Sequence, residues 1–145
     1  MASVTSRQKF GALAADYLLE VLEEQRAFQG WGSAVIVPIP SSQKRLRERG
    51  YNQAARLAEA IVSNIDGVRY KPELLTREDR ESQVQVERSK RVANIAGAFA
   101  ASPAAKGLFI IIIDDVVESG ATLADARRAL LDAGVKGVIA LAMAH

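Results

Sequence analysis

The chain has 145 residues, 49% of them apolar and 25% charged, with a formal net charge of +2 and no cysteine. That length gives one domain, 1–145, able to bury roughly 70% of the surface its unfolded form exposes. The composition excludes disulfides, thiolate metal sites and a cysteine nucleophile, and the single histidine is the last residue, so acid–base chemistry falls to carboxylates, lysine, tyrosine or the substrate itself.

The start MASVTSRQKF has no apolar h-region, and the longest strongly apolar run, LFIIII, is too short to span a bilayer. With no cysteine to oxidise, the expectation is a cytoplasmic protein without membrane insertion. In RQKFGALAADYLLEVLEEQRAF the spacing of Phe10, Leu13, Tyr17, Leu18, Val21 and Leu22 predicts an amphipathic helix. AVIVPIP then reads as a buried strand stopped by two prolines. Between Ser41 and Arg56 stand five cations (Lys44, Arg45, Arg47, Arg49, Arg56) against one acid, Glu48. This local excess suits an anionic partner such as a phosphate, a pyrophosphate or nucleic acid. From Asn52 onward, Ala54, Leu57, Ala58 and Ile61 repeat at helical spacing.

TREDRESQVQVERSKRVANI is the most polar part of the chain, and its charges would solvate an excursion or a surface helix. GAFAASPAAKG reads as a short strand and a loop. LFIIII is apolar on both faces, as in the centre of a parallel sheet. TLADARRALLDAG is a helix that Gly134 caps in the left-handed region, and GVIALAMA is a further buried strand. Helices alternating with apolar strands define an α/β fold with a mostly parallel central sheet.

Two carboxylates, Asp114 and Asp115, follow the apolar run directly, where open α/β sheets bind their ligands. The turn Glu118-Ser119-Gly120-Ala121-Thr122 then leads into a helix. It supplies backbone N–H groups and two hydroxyls, and Gly120 permits close approach of an anion. Carboxylates repel phosphate, so the acids should face hydroxyl groups or a divalent cation. A sugar phosphate satisfies both halves at once.

FIIIIDDVVESGATL resembles the phosphoribosyl-pyrophosphate (PRPP) motif of type I phosphoribosyltransferases. VPIPSSQKRLRERGYNQAARLAEAI, LLTREDRESQVQVERSKRVANIAGAFA and LLDAGVKGVIALAMA look like the ComF family of competence-associated, phosphoribosyltransferase-like proteins. The resemblance covers most of the chain from Val35 onward. It implies a type I phosphoribosyltransferase fold with a minimal hood, and a Mg²⁺-dependent transfer of the phosphoribosyl group to a nucleobase or amine with release of pyrophosphate. Asp114 and Asp115 would hold the ribose hydroxyls, directly or through Mg²⁺, and Glu118 to Thr122 the 5′-phosphate. Glu118 departs from the threonine common in ComF-like proteins; it is either a general acid/base or a solvent-facing loop acid. Pro40, Ser41, Ser42 and Arg45 correspond to a pyrophosphate loop.

Arg77, Arg80, Gln83 and Arg88 fall where this fold carries a flexible loop, with Arg88, Arg91 and Asn94 suited to anchoring its return. The family usually carries a four-cysteine zinc module, which these residues lack, as in a lineage without the module or a stretch of a longer protein. The acceptor pocket is then small, open, or completed by another subunit, which allows a homodimer. The alternative is a non-catalytic PRPP- or nucleotide-binding protein acting with competence partners in DNA uptake. A third reading, single-stranded nucleic acid on the Lys44–Arg56 stretch, has only Tyr51 as a stacking platform.

Overall fold

The computed structural model describes residues 34–78, 98–116 and 120–144, together with Asp16, Tyr17, Glu20 and Glu24. These last four are helical and exposed; the rest of the expected first helix lies outside the described residues. Tyr17, expected on the apolar face, is 56% exposed. It precedes Glu20 by three residues and Glu24 by seven, so the helical period sets it beside the acids.

Strand β1 (Val35–Pro38) is followed by helices α1 (Gln43–Arg49) and α2 (Gln53–Val62) and by the short strand β2 (Arg69–Tyr70). A 3₁₀ turn, Pro72–Leu74, leads into β3 (Leu75–Arg77), which pairs antiparallel with β4 (Phe99–Ala101). After a second 3₁₀ turn, Pro103–Ala105, come β5 (Phe109–Val116), helix α3 (Ala121–Asp132) and β6 (Gly137–Ala144). β2, β1, β5 and β6 form one sheet in that order, and all of its pairings are parallel.

The two-sided apolar character of β1 and β5 is explained by the two layers that cover them. Ile36, Ile111 and Ile113 pack against Leu57, Ala58 and Ile61 of α2. On the opposite face Val35, Val37, Ile110 and Ile112 meet Ala126, Ala129 and Leu130 of α3, joined by Leu75 and Phe99 from the β3–β4 pair. The period of two along each strand divides its isoleucines and valines between these layers. Gly134 closes α3 with φ 88°, as its position after the helical repeat predicts.

Three expectations are corrected. Thr76 and Arg77, expected in the polar segment, belong instead to a strand, because Leu75 is buried and draws Leu75–Arg77 into pairing with β4. β6 is half-buried: among the described residues it pairs only with β5, and Ala140 is exposed while Leu141 is buried. The strand carrying the two acids is also longer than its apolar run and continues to Val116.

Gly137 lies opposite Phe109 in the β5–β6 register. A Cβ there would stand 2.7 Å from Phe109 Cε2 and 3.0 Å from Cδ2. The ring is buried within the α2-side core and has little room to retreat. Gly137→Ala is expected to cost about 1–3 kcal/mol, the usual range for overpacking. Urea denaturation should show a lower midpoint with unchanged slope, and an unaltered midpoint would contradict this packing.

Candidate functional site

β1 and β5 are neighbours whose onward connections diverge, through α1 and α2 to β2 on one side and through α3 to β6 on the other. Their carboxyl ends therefore form a topological switch point, where open α/β sheets leave a crevice. β1 ends at Pro38, paired with Ile113, so Asp114 and Asp115 extend past it. On their other side Asp114 is in register with Ala142 of β6. The acids are thus held by a paired strand yet stand beyond the end of β1, at the switch point.

The chain leaving β1 is tethered to this end. The Ile39 N–H donates to the Ile113 carbonyl at 2.8 Å, and Asn52 Nδ2 donates to the Ile39 carbonyl at 3.0 Å. Asn52 also caps α2, its Oδ1 accepting from the Ala55 N–H at 3.1 Å. Pro40, Ser41 and Ser42 are half-buried between these ties. Ser42 Oγ accepts from the Arg45 N–H at 3.2 Å and caps α1. Its hydroxyl proton is thereby left for another acceptor.

α1 buries none of its residues, and Arg45 is its one half-buried side chain. The charge of Arg45 acts on Asp114, opposing the rise of that carboxyl's pKa. Arg49 is one helical turn further on and donates from Nη1 to Asp115 Oδ2 at 3.4 Å and to Gln53 Oε1. Arg56 sits 3.8 Å from the centroid of the Tyr51 ring. The basic stretch therefore divides its work: Arg45 and Arg49 attend the acids, and Arg56 covers the aromatic.

Asp114 is only 6% exposed, and its Oδ1 accepts the Asp115 N–H at 2.9 Å. Burial pushes its pKa up to about 6, and the adjoining Asp115 carboxyl adds to the rise; the Asp115 backbone N–H and Arg45 pull the other way. One acid of the pair is consequently poised near neutrality.

α3 is preceded by Gly120 as its N-cap residue, in the left-handed region at φ 79°, a position with no side chain of its own to cap the helix. The positive end of its dipole lies at the same sheet end as the acids, where an anion is favoured. Gly120 and Thr122 are half-buried there, and Ala121 is exposed. Glu118 and Ser119 lie outside the described residues, as do Arg80, Gln83, Arg88, Arg91 and Asn94. Arg77, expected in the loop, is instead the last residue of β3, its guanidinium 5.2 Å from the Phe99 ring centroid.

Two side chains at or near the site were not singled out from the sequence. Arg49 is one of several cations expected either to neutralise an anion such as pyrophosphate or to form a solvated helix face, and its contact with Asp115, 66 positions away, is not readable from local spacing. Asp125 is buried on α3, where its Oδ2 accepts the Phe99 N–H at 3.4 Å and its Oδ1 accepts Arg128 Nε and Nη2 at 3.1 and 2.9 Å. Its spacing to Arg128 is a readable helical pair, but its contact with β4 is not.

No protein-family model matches the chain. The competence protein ComFC of Bacillus subtilis is 39% identical over 100 residues, covering 69% of this chain and 39% of that protein. ComFC of Streptococcus pneumoniae is 32% identical over 144 residues, covering 95% of this chain and 60% of the relative. The DNA utilization protein YhgH of Salmonella typhimurium is 30% identical over 136 residues, covering 92% and 60%. These homologues support the ComF-like family. The chain spans between 39% and 60% of the length of these relatives. Among the described residues no helix is long and apolar enough to cross a membrane.

Proposed function

We propose that this chain is a ComF-like protein of DNA uptake whose switch-point crevice binds PRPP. The observation that carries this reading is the emergence of Asp114 and Asp115 beyond the end of β1, between the tethered 39–42 loop and the start of α3. The acids suit the ribose hydroxyls, the start of α3 suits the 5′-phosphate, and the loop with Arg45 suits the pyrophosphate. Cytoplasmic competence proteins are the proposed partners, in keeping with the names of the ComFC and YhgH relatives.

Mg²⁺ is the proposed cofactor. Among the described residues no three His, Cys, Asp or Glu side chains converge as a metal-binding group. Asp114 and Asp115 would therefore share the ion with ligand oxygens and water, the usual habit of Mg²⁺. Two adjoining carboxyls whose joint ionisation is disfavoured also fit a cation, since its charge favours the ionised form of both.

The second reading is phosphoribosyl transfer to a nucleobase or amine. The two-sided crevice favours it, because its layout could hold the phosphate and the pyrophosphate at once. The bond from the ribose C1 to the pyrophosphate oxygen would break as the acceptor nitrogen bonds to C1. The proton lost by the acceptor would pass to a carboxylate, with Glu118 the candidate. Bound Mg²⁺ would neutralise charge on the departing pyrophosphate. Asp114 and Asp115 would hold the ring while it carries positive charge.

Calorimetric titration of PRPP with and without Mg²⁺ tests the binding reading. The wild type is expected to bind only with the metal, and Asp114→Asn/Asp115→Asn to lose binding by at least 100-fold, a loss of about 3 kcal/mol or more. No binding by folded wild type would sink the reading. A nucleobase and amine screen for pyrophosphate release then decides between transfer and binding alone. A salt titration identifies a nucleic-acid site, which should weaken steeply as salt rises.

A further inference from the structure

We propose that Arg49 is a built-in counter-cation of the site, occupying Asp115 until a divalent cation replaces it. The inference rests on the reading of the acid pair as a cation and ribose site. Arg49 ends α1 and meets Asp115 across 66 positions of sequence, so the contact is made by the fold and is no by-product of helical spacing.

Its geometry is that of an interaction easily given up. One nitrogen faces one carboxylate oxygen at 3.4 Å, longer than the ~2.8 Å of a strong charge-assisted bond. The Arg49 side chain is 44% exposed, so solvent can receive the guanidinium when it leaves. Gln53 Oε1 accepts from the same Nη1, which aims that nitrogen and keeps it from wandering.

A guanidinium and a divalent cation compete for this carboxylate, because two positive charges at one oxygen repel. The arginine therefore lowers the affinity of the ligand-free protein for free metal, while a metal delivered with an anionic ligand brings its own neutralisation. Once displaced, Arg49 remains on the basic helix beside Arg45, next to the loop proposed for pyrophosphate.

The test uses Mn²⁺ as a paramagnetic probe, counted as free ion by electron paramagnetic resonance, on the full chain without and with PRPP. Arg49→Gln is expected to tighten Mn²⁺ binding to the ligand-free protein by about 3- to 10-fold, and by less once PRPP is present. Arg47→Gln removes the same charge from the same helix, roughly 200° around its axis, and is expected to stay within about twofold of wild type. Unchanged affinity in Arg49→Gln, or equal tightening in both variants, overturns the role assigned to Arg49 while leaving the PRPP site standing. Absence of Mn²⁺ binding in every variant, with PRPP or without, overturns the acid-pair reading and this inference with it.

Discussion

Asp114→Asn is expected to make the folded chain more stable at pH 7.5, by on the order of 1–3 kcal/mol. In the folded protein the Asp114 carboxyl titrates at about 6, against an ordinary value of 3.8. Between those values the native state keeps a proton that the unfolded chain has already released. Stability from this group is therefore full below about pH 4 and declines as pH rises through the native value. Asparagine has no charge to bury, and its Oδ1 can still accept the Asp115 N–H that Asp114 holds at 2.9 Å. Urea denaturation at pH 7.5, 6 and 5 should show the advantage of the variant shrinking step by step. A variant less stable than wild type at pH 7.5 would mean that Arg45 and the Asp115 N–H more than offset burial. The expected result has functional content. A buried acid that weakens the fold at neutral pH is not accounted for by packing, and perturbed carboxyls of this kind concentrate at working sites.

Residues whose environment is set within a few positions of sequence were the legible ones. The isoleucines of β5 require cover on both faces, and α2 and α3 supply it. Ala54, Leu57, Ala58 and Ile61, expected on one helical face, are the buried residues of α2. Asp114 and Asp115 could be placed at a sheet end because acids directly after an apolar run mark where β5 outlasts its neighbour β1, although Asp114 itself is still buried. Contacts made across the fold were not legible. β2 has two residues and β3 three, too few for a period to register. The half-exposed state of β6 depends on which strands flank it, which alternation along one strand cannot reveal. Asp115 and Arg49 are joined only because β1 stops at Pro38 and α1 folds back over the end of β5.

Asp125 is the other contact of this type, and its removal tests how the β3–β4 pair is joined to α3. The Asp125 side chain is 5% exposed and ties α3 to Phe99, the first residue of β4. Asp125→Ala leaves the Phe99 N–H without that acceptor in a buried setting, at an expected cost of roughly 1–3 kcal/mol. The ion pair with Arg128 adds little, because that guanidinium is 47% exposed and rehydrates. Asp125→Asn separates the two contributions: it keeps a carbonyl for the Phe99 N–H and gives up the charge, so it should cost less than half as much. Amide exchange gives the local readout, with the Phe99 amide losing protection in Asp125→Ala well before the amides of β5. Equal stability of Asp125→Ala and wild type, with Phe99 still protected, would show that Leu75 and Phe99 hold the β3–β4 pair against α3 by apolar packing alone. The expected result would instead make one carboxylate on α3, the helix that begins at the proposed phosphate turn, the polar fixture for β4.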